Sequence, residues 1–220
     1  FCAAHNAVVF CDHTSGYKGK YRVLYSLIAS QDALAVDLNN LDLLVHIGEI
    51  SGEYGCLRKL HPKCVWRVNE DGEMRDFFHC LQYVFEMPEQ LFFERYSQKS
   101  DMSSHDYLHS CQTLYQKLYD DIPELPFSNL WVAKQMAMKI PENAVLHLGI
   151  LNSLRSWNFF EVPLSVDAYS NVGGFGIDGG VSSLIGASLV NKKRIYFGVF
   201  GDLAFFYDMN VLGNRHIGNN

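Results

Sequence analysis

A glycine-rich stretch near the carboxyl end decides the fold: YSNVGGFGIDGG at residues 169–180, followed by GDLAFFYDMN at residues 201–210. Between the two, residues 181–190 (VSSLIGASLV) predict a helix whose small side chains allow close packing. Residues 194–200 (RIYFGVF) predict a strand that runs directly into Gly201 and Asp202. A loop, a helix and a strand in this order are typical of α/β domains.

The loop matches the glycine pattern of dinucleotide-binding folds. Gly174, Gly176 and Gly179 have the G-x-G-x-x-G spacing, and Asp202 follows Gly179 by 23 residues, near the distance at which such folds place an acid for the ribose. A dinucleotide site is therefore one hypothesis. The other is that the glycines only permit a tight loop before the helix.

Three features oppose the dinucleotide hypothesis. The residues before the loop, Tyr169 to Asn171, are polar where a buried apolar strand is expected, and Asp178 would repel a pyrophosphate at the start of the helix. In addition, Asp202 stands at the predicted end of a strand, with Asp208 and Asn210 on the following turns. A hard carboxylate beside a glycine suits Mg²⁺ or Ca²⁺ bridging a diphosphate.

Working outward, short apolar runs alternate with amphipathic stretches, which predicts an α/β chain with two parallel-sheet, three-layer units. We place the units at residues 1–97 and 124–220, joined by a polar, tyrosine-rich helical connector at 98–123. Strands are predicted at residues 7–11, 41–47, 63–68 and 144–149. Helices are predicted at residues 18–30, 76–85, 130–140 and 153–160. The second unit ends where a parallel sheet would usually continue, so we expect this chain to be part of a longer protein.

Composition excludes several classes of protein. Of 220 residues, 48% are hydrophobic and 19% charged, as in ordinary globular proteins, and the net charge is −6 without a basic stripe, so no nucleic-acid partner is expected. No apolar run is long enough to predict a membrane span. The six scattered cysteines predict unpaired thiols and a cytoplasmic location. His105 and His109, four apart on a predicted helix, are a weak metal-pair candidate because no further ligand lies nearby in the sequence.

The stretches SNVGGFGIDG and GDLAFFYDMNVL resemble the pyrophosphate-binding domain of thiamine-diphosphate enzymes. They are most similar to the 2-succinyl-5-enolpyruvyl-6-hydroxy-3-cyclohexene-1-carboxylate synthase family of the menaquinone pathway. The resemblance extends upstream through AVLHLGILNS (144–153) and, more weakly, through LDLLVHIG (41–48) and VWRVNEDGEMRD (65–76). It implies that residues 1–97 are part of a central domain and 124–220 the first part of the pyrophosphate-binding domain.

The resemblance also implies roles for individual residues. Asp202 would be the metal ligand, with Gly201 and Leu203 flanking the diphosphate, while Gly176 and Ile177 would contact the two rings of the cofactor. Ser153, and Arg155 nearby, would contact the substrate. For all of these except Asp202, packing is an equally good interpretation of the residue.

The sequence departs from the family at several positions. Val172 stands where the family has an arginine that binds a substrate carboxylate, and a second such arginine falls near Trp157. The family's second metal ligand, an asparagine, is not matched by Asn219 or Asn220, which follow Asp202 too closely. The glutamate that protonates the cofactor ring is expected outside this chain.

The function implied is therefore that of a fragment. The parent would be a thiamine-diphosphate- and Mg²⁺-dependent (or Ca²⁺- or Mn²⁺-dependent) transferase or lyase, a homodimer or tetramer. It would decarboxylate a 2-oxo acid and transfer the acyl anion equivalent to an acceptor, with altered substrate positions. The fragment alone is expected to be inactive. A non-catalytic domain used for assembly is the alternative, and a dinucleotide-binding domain is a weaker one.

Overall fold

The computed structural model describes residues 1–31, 37–49, 54–97, 104–172 and 177–218. Within these ranges the chain is α/β, and each pair of hydrogen-bonded strands runs parallel. The predicted fold class is confirmed.

The secondary structure of the described residues alternates between short strands and helices. The strands are β1 (Val9–Cys11), β2 (Arg22–Leu24), β3 (Asn40–Leu41), β4 (Leu44–Ile47), β5 (His61–Pro62), β6 (Val65–Val68), β7 (Leu81–Phe85), β8 (Val145–Leu148), β9 (Asp167–Ser170) and β10 (Tyr196–Val199). The helices are α1 (Ser26–Ala29), α2 (Tyr54–Leu57), α3 (Glu89–Tyr96), α4 (Asp106–Asp120), α5 (Asn129–Met136), α6 (Asn152–Trp157), α7 (Gly180–Val190) and α8 (Asp202–Tyr207). Parallel strands require crossover connections; α6 and α7 supply them between β8, β9 and β10, whereas a 3₁₀ turn joins β1 to β2 and a loop joins β6 to β7.

The amino-terminal part contains three small sheets. The largest has the order β4-β6-β7, and β1 pairs with β2 and β3 with β5. Phe92 of α3 is fully buried and packs its ring against those of Trp66 and Phe85. A second apolar cluster joins these elements to α4 through the buried residues Val23, Tyr25, Ile28, Ala29, Leu60 and Cys111.

Two helices predicted for this part are wrong, because the strand pairing dominates over local periodicity. Most of residues 18–30 is not helical: Arg22–Leu24 pairs with β1, and only Ser26–Ala29 forms a helical turn. Residues 76–85 contain a turn and then β7. Asp76 Oδ1 accepts hydrogen bonds from the backbone N–H groups of Cys80 and Leu81, each at 3.0 Å, and these start the strand beside β6.

The carboxyl-terminal part has one sheet in the order β10-β8-β9. Ser128 caps α5, its Oγ accepting from the N–H of Trp131 at 3.2 Å. One sheet face is covered by α5 and α6, through the core residues Ala133, Ala137, Ile140, Ala144, Leu146, Leu148, Leu154, Trp157, Phe160, Val162, Val166 and Ala168. The sequence did not predict β9, whose polar residues suit an edge strand.

The opposite face of this sheet carries α7. A Cβ at Gly198 of β10 would lie 2.7 Å from Leu184 of α7, so the missing side chain lets the helix approach the strand. The connection β8–α6–β9 runs to one side of β8, whereas β9–α7–β10 returns to the other side. This reversal creates a topological switch point at the carboxyl ends of β8 and β10.

The amino- and carboxyl-terminal parts contact each other directly. His13 lies in a 3₁₀ turn beside β9, and Lys18 forms an ion pair with Asp167 at 2.6 Å. Arg22 forms an ion pair with Glu161. In α4, Cys111 is buried in the amino-terminal cluster, whereas Tyr119 packs against the core of the other part. The division at residues 97 and 123 stays a prediction.

Candidate functional site

The candidate site lies at the carboxyl edge of the β10-β8-β9 sheet. Because the strands are parallel, the loops that follow all three of them meet at this edge. The Gly149 N–H donates to the carbonyl oxygen of Val199 at 2.8 Å, which extends the pairing with β10 one residue past the end of β8. Ser170 Oγ donates to the carbonyl oxygen of Leu148 at 2.7 Å and closes the edge on the β9 side.

Phe200 packs the switch point. A Cβ on Gly180, the first residue of α7, would lie 3.0 Å from the Phe200 ring, and one on Gly149 would lie 3.3 Å from it. The two glycines therefore leave room for the aromatic ring between the end of β8 and the start of α7.

Asp202 is exposed and is the first residue of α8. Its Oδ1 accepts from the backbone N–H of Leu203 at 2.8 Å. Gly201 has extended backbone (φ −67°, ψ 155°), and a Cβ built on it would meet nothing within 4 Å. The predicted metal ligand therefore stands at the sheet edge beside open space, and none of the described residues donates a hydrogen bond to its second oxygen.

The donor set fits a divalent cation held together with phosphates. Among the residues that the structure describes, no group of three or more His, Cys, Asp or Glu could hold a metal ion by itself. Mg²⁺ is commonly bound by one or two carboxylates, water and the phosphates of its ligand. One exposed carboxylate with open space beside it matches that pattern. The weak metal pair, His105 and His109, has no third ligand of these types among the described residues.

The glycine-rich loop is described only in part, because residues 173–176 lie outside the described ranges, and Gly176 among them. Ile177 is exposed at the surface. Gly179 has φ +78°, in the left-handed region that favours glycine, and precedes α7. Asn171 Nδ2 donates to the carbonyl oxygen of Asp178 at 3.4 Å, so the residue after β9 fastens the end of the loop.

The start of α7 is occupied by a carboxylate of the protein. Asp208 Oδ2 accepts from the backbone N–H of Ser182 at 2.6 Å, and its Oδ1 accepts from the Ser182 hydroxyl. In a dinucleotide fold the helix start following the glycines receives the pyrophosphate. A negative side chain already bound there opposes such a ligand. Neither the motif spacing nor the residue types indicated this contact, because the partners are 26 residues apart.

The two predicted substrate residues lie on the first helix after β8. Ser153 is half-buried and Arg155 is exposed on α6. They are two positions apart, so they point to different faces of the helix. Trp157, aligned near a family arginine, is buried in the core, and Val172, aligned with the other, is half-buried two residues after β9. Neither of these two positions provides a positive charge.

His147 is a buried polar residue that the sequence analysis did not single out. It lies in the middle of β8, next to the ring of Tyr169 at 5.5 Å between centroids. Burial lowers the pKa of His147 below that of a free imidazole, and its Nε2 has no hydrogen-bond partner among the described residues. Apolar surroundings therefore favour the neutral ring.

The remaining findings concern the cysteines and membrane spanning. No disulfide joins any two of the six cysteines, all of which lie within the described ranges, and Cys111 is fully buried. No helix in the described ranges has the length and apolar character needed to cross a bilayer.

Comparison with known proteins finds relatives that carry the same name. The chain is 34% identical over 165 residues to the 2-succinyl-5-enolpyruvyl-6-hydroxy-3-cyclohexene-1-carboxylate synthase of Bacteroides fragilis, covering 74% of this chain and 29% of the relative. The protein of the same name from Christiangramia forsetii is 41% identical over 101 residues, or 46% of this chain and 17% of the relative. That of Syntrophus aciditrophicus is 27% identical over 217 residues, or 93% of this chain and 38% of the relative.

The chain thus spans between a sixth and two fifths of the length of these relatives. No family model matches it.

Proposed function

We propose, on the premise that this chain belongs to the 2-succinyl-5-enolpyruvyl-6-hydroxy-3-cyclohexene-1-carboxylate synthase family, that it is the cofactor-binding part of a thiamine-diphosphate- and Mg²⁺-dependent enzyme. The observation that carries the proposal is the exposed carboxylate of Asp202 at the carboxyl edge of a parallel sheet, beside the switch point. Ligands of open α/β sheets bind at such points.

Asp202 would hold the metal ion together with the diphosphate of the cofactor. Gly201 and Leu203 would flank the diphosphate with their backbone groups, because Gly201 has no side chain and opens onto free space. Ile177, exposed just before α7, would contact the cofactor rings together with Gly176. Thiamine diphosphate, when bound, supplies the chemistry that allows a 2-oxo acid to lose CO₂ and its acyl unit to be transferred.

The substrate is a 2-oxo acid whose contacts differ from those of the menaquinone-pathway family. Ser153 and Arg155 on α6 are our candidates for substrate contacts. Val172 and the buried Trp157 cannot bind a carboxylate as the family arginines do. We therefore propose altered recognition of the substrate carboxylates, with a different 2-oxo acid or acceptor as one consequence.

The proposed chemistry also needs parts that this chain does not provide. The glutamate that activates the cofactor ring is expected elsewhere in the longer protein, which we propose is at least a homodimer. For this reason the 220 residues alone are proposed to be inactive. A non-catalytic domain that keeps the fold for assembly is the second candidate, favoured by the missing arginines at Val172 and Trp157.

The test is calorimetry on the complete protein with thiamine diphosphate, with and without Mg²⁺. Wild type is expected to bind only when Mg²⁺ is present. Asp202→Asn should weaken binding at least about 100-fold, because loss of a direct ligand exceeds the 10- to 100-fold cost of losing an outer-shell partner. Asp106→Asn is the matched control, since Asp106 is an exposed carboxylate in the first turn of α4, remote in sequence from the sheet edge.

The other outcomes separate the candidates. NADH binding without a metal ion would favour the dinucleotide domain. Absence of binding to either ligand in a folded wild-type protein would favour the assembly domain. If Asp202→Asn and Asp106→Asn weaken the binding of thiamine diphosphate equally, Asp202 is not a ligand of the metal ion.

A further inference from the structure

The contact between Asp208 and Ser182 joins the two segments that form the proposed cofactor site. Asp208 lies just after α8, six residues beyond Asp202. Ser182 lies in the first turn of α7, five residues beyond Ile177. The contact therefore ties the helix that carries the metal ligand to the helix that follows the glycine-rich loop, and α7 packs against α8 next to it.

Asp208 does for α7 what an N-cap side chain normally does. The N-cap residue itself is Gly179, which has no side chain to accept a hydrogen bond. The carboxylate of Asp208 accepts instead from the N–H of Ser182, the third residue of the helix, at 2.6 Å. This N–H group is one that capping side chains commonly satisfy, and a negative charge is favourable at a helix start.

The two carboxylates of residues 201–210 are therefore used differently. Both oxygens of Asp208 accept hydrogen bonds from Ser182, and the residue is half-buried. Asp202 is exposed, and within the described part of the chain one hydrogen bond, from the Leu203 N–H, engages one of its oxygens. A metal ion would have to break two hydrogen bonds to use Asp208 but none to use the other oxygen of Asp202.

We infer that Asp208 is a positioning residue, which holds the start of α7, and with it Ile177, at a fixed distance from Asp202. This inference rests on the proposed function, because its consequence is a preorganised pair of contacts for the cofactor rings and the metal-bound diphosphate. Without the carboxylate, the start of α7 and the end of the loop lose their anchor to α8. Misplacement of active-site groups by about 1 Å can lower the reaction rate up to about 100-fold.

The test compares Asp208→Ala with Asp208→Asn and Ser182→Ala. Asparagine keeps the geometry without the charge: its oxygen can accept from the Ser182 N–H while its amide donates to the Ser182 hydroxyl. We expect Asp208→Ala to speed amide hydrogen exchange at residues 177–184 in the 220-residue chain. In the complete protein it should weaken Mg²⁺-dependent binding of thiamine diphosphate about tenfold.

In Asp208→Asn, the amide exchange rates at residues 177–184 and the affinity for thiamine diphosphate should both lie within about twofold of wild type, since the hydrogen bonds are kept. Ser182→Ala should give an intermediate loss, because the backbone N–H still binds Asp208. Ser128→Ala is the matched control: it removes the cap of α5, on the same sheet but away from its carboxyl edge. It should lower the melting temperature to a similar degree without changing cofactor affinity.

Three results would overturn the inference. Unchanged exchange at residues 177–184 in Asp208→Ala would show that the contact does not hold the helix start. A loss of affinity in Ser128→Ala equal to that in Asp208→Ala would reduce the role to general stability. A loss in Asp208→Asn as large as that in Asp208→Ala would identify the charge, and hence direct metal binding, as the function. A wild-type protein that binds no thiamine diphosphate refutes the proposed function itself, whatever the exchange data show.

Discussion

The Nε2 atom of His13 lies 2.8 Å from the carbonyl oxygen of Phe160, which brings a buried histidine of the amino-terminal part into the core edge of the carboxyl-terminal part. The same nitrogen lies 3.0 Å from the carbonyl oxygen of Trp157. Because two acceptors face it, Nε2 carries the proton and donates. The His13 backbone N–H donates to Asn158 Oδ1 at 3.2 Å and completes the junction.

The buried position of His13 predicts acid sensitivity. Burial, and then the nearby Arg22, lower the pKa of His13 in the folded chain, with Glu161 acting in the opposite direction. The unfolded chain therefore binds the proton more tightly, and the free energy of unfolding falls as the pH drops below about 6.5. The slope is at most about 1.4 kcal/mol per pH unit for each such histidine.

Urea unfolding of the 220-residue chain at several pH values between 5 and 8 would measure this slope. His13→Gln should flatten it, since glutamine keeps a donor but does not titrate in this range, although it should also lower the stability near pH 8. His109→Gln, on an exposed position of α4, is the control. An equal pH slope in His13→Gln and wild type would contradict the prediction. His46 and His147, whose pKa values burial also lowers, should supply the remaining slope.

A side chain should not be tolerated at Gly198 but should be tolerated at Gly186. A Cβ at Gly198 would lie 2.4 Å from the Phe200 ring and 2.7 Å from Leu184, so Gly198→Ala should destabilise the chain by about 1–3 kcal/mol through overpacking. Gly186, in the middle of α7, is exposed and has open space around it. Gly186→Ala should stabilise by about 0.5–1 kcal/mol. Thermal unfolding of the two variants gives the signs, and a stabilised Gly198→Ala would show that α7 does not pack on β10 as described.

These glycines illustrate what the sequence could and could not predict. The ends of α7 and β10 were predicted to within two residues, because glycine punctuation and apolar runs are local signals. Helices were wrongly predicted at 18–30 and 76–85, where β2 and β7 pair with strands distant in sequence. Local periodicity carries no information about such partners.

The same limit applies to the candidate site. The sequence singled out Asp202 because a carboxylate after a strand and a glycine is a local pattern, and the structure shows it exposed at the sheet edge. The cap formed by Asp208 and the packing of Phe200 against Gly149 were missed, since each joins residues far apart in the chain. The roles of Ser153, Arg155, Ile177 and Leu203 stay predictions.

The ion pair between Arg22 and Glu161 should stabilise the junction of the two parts. The Arg22 side chain is mostly buried, so removing its partner leaves a charged donor unpaired. We expect Glu161→Leu to cost about 1–3 kcal/mol, the penalty for an unsatisfied buried group. The double variant Arg22→Leu with Glu161→Leu should recover part of this loss, because no charge then remains buried. A double-mutant cycle by urea unfolding measures the coupling, and additive losses would contradict a direct interaction.

Replacing Leu151 with glycine should stabilise the chain, because Leu151 has a backbone conformation that leucine rarely adopts. Its φ is +64° and ψ −119°, it directly precedes α6, and its side chain is 46% exposed, so little packing is lost on substitution. Relief of the backbone strain should stabilise the chain by about 1–3 kcal/mol, and the entropy that glycine loses on folding offsets part of this. We therefore expect Leu151→Gly to raise the free energy of unfolding by about 1 kcal/mol. Asn143→Gly is the matched control, at φ +61° but with a residue that tolerates the left-handed region, so its gain should be smaller. Thermal unfolding would rank the two variants, and a loss of stability in Leu151→Gly would mean that the leucine side chain packs more tightly at the start of α6 than its exposure indicates.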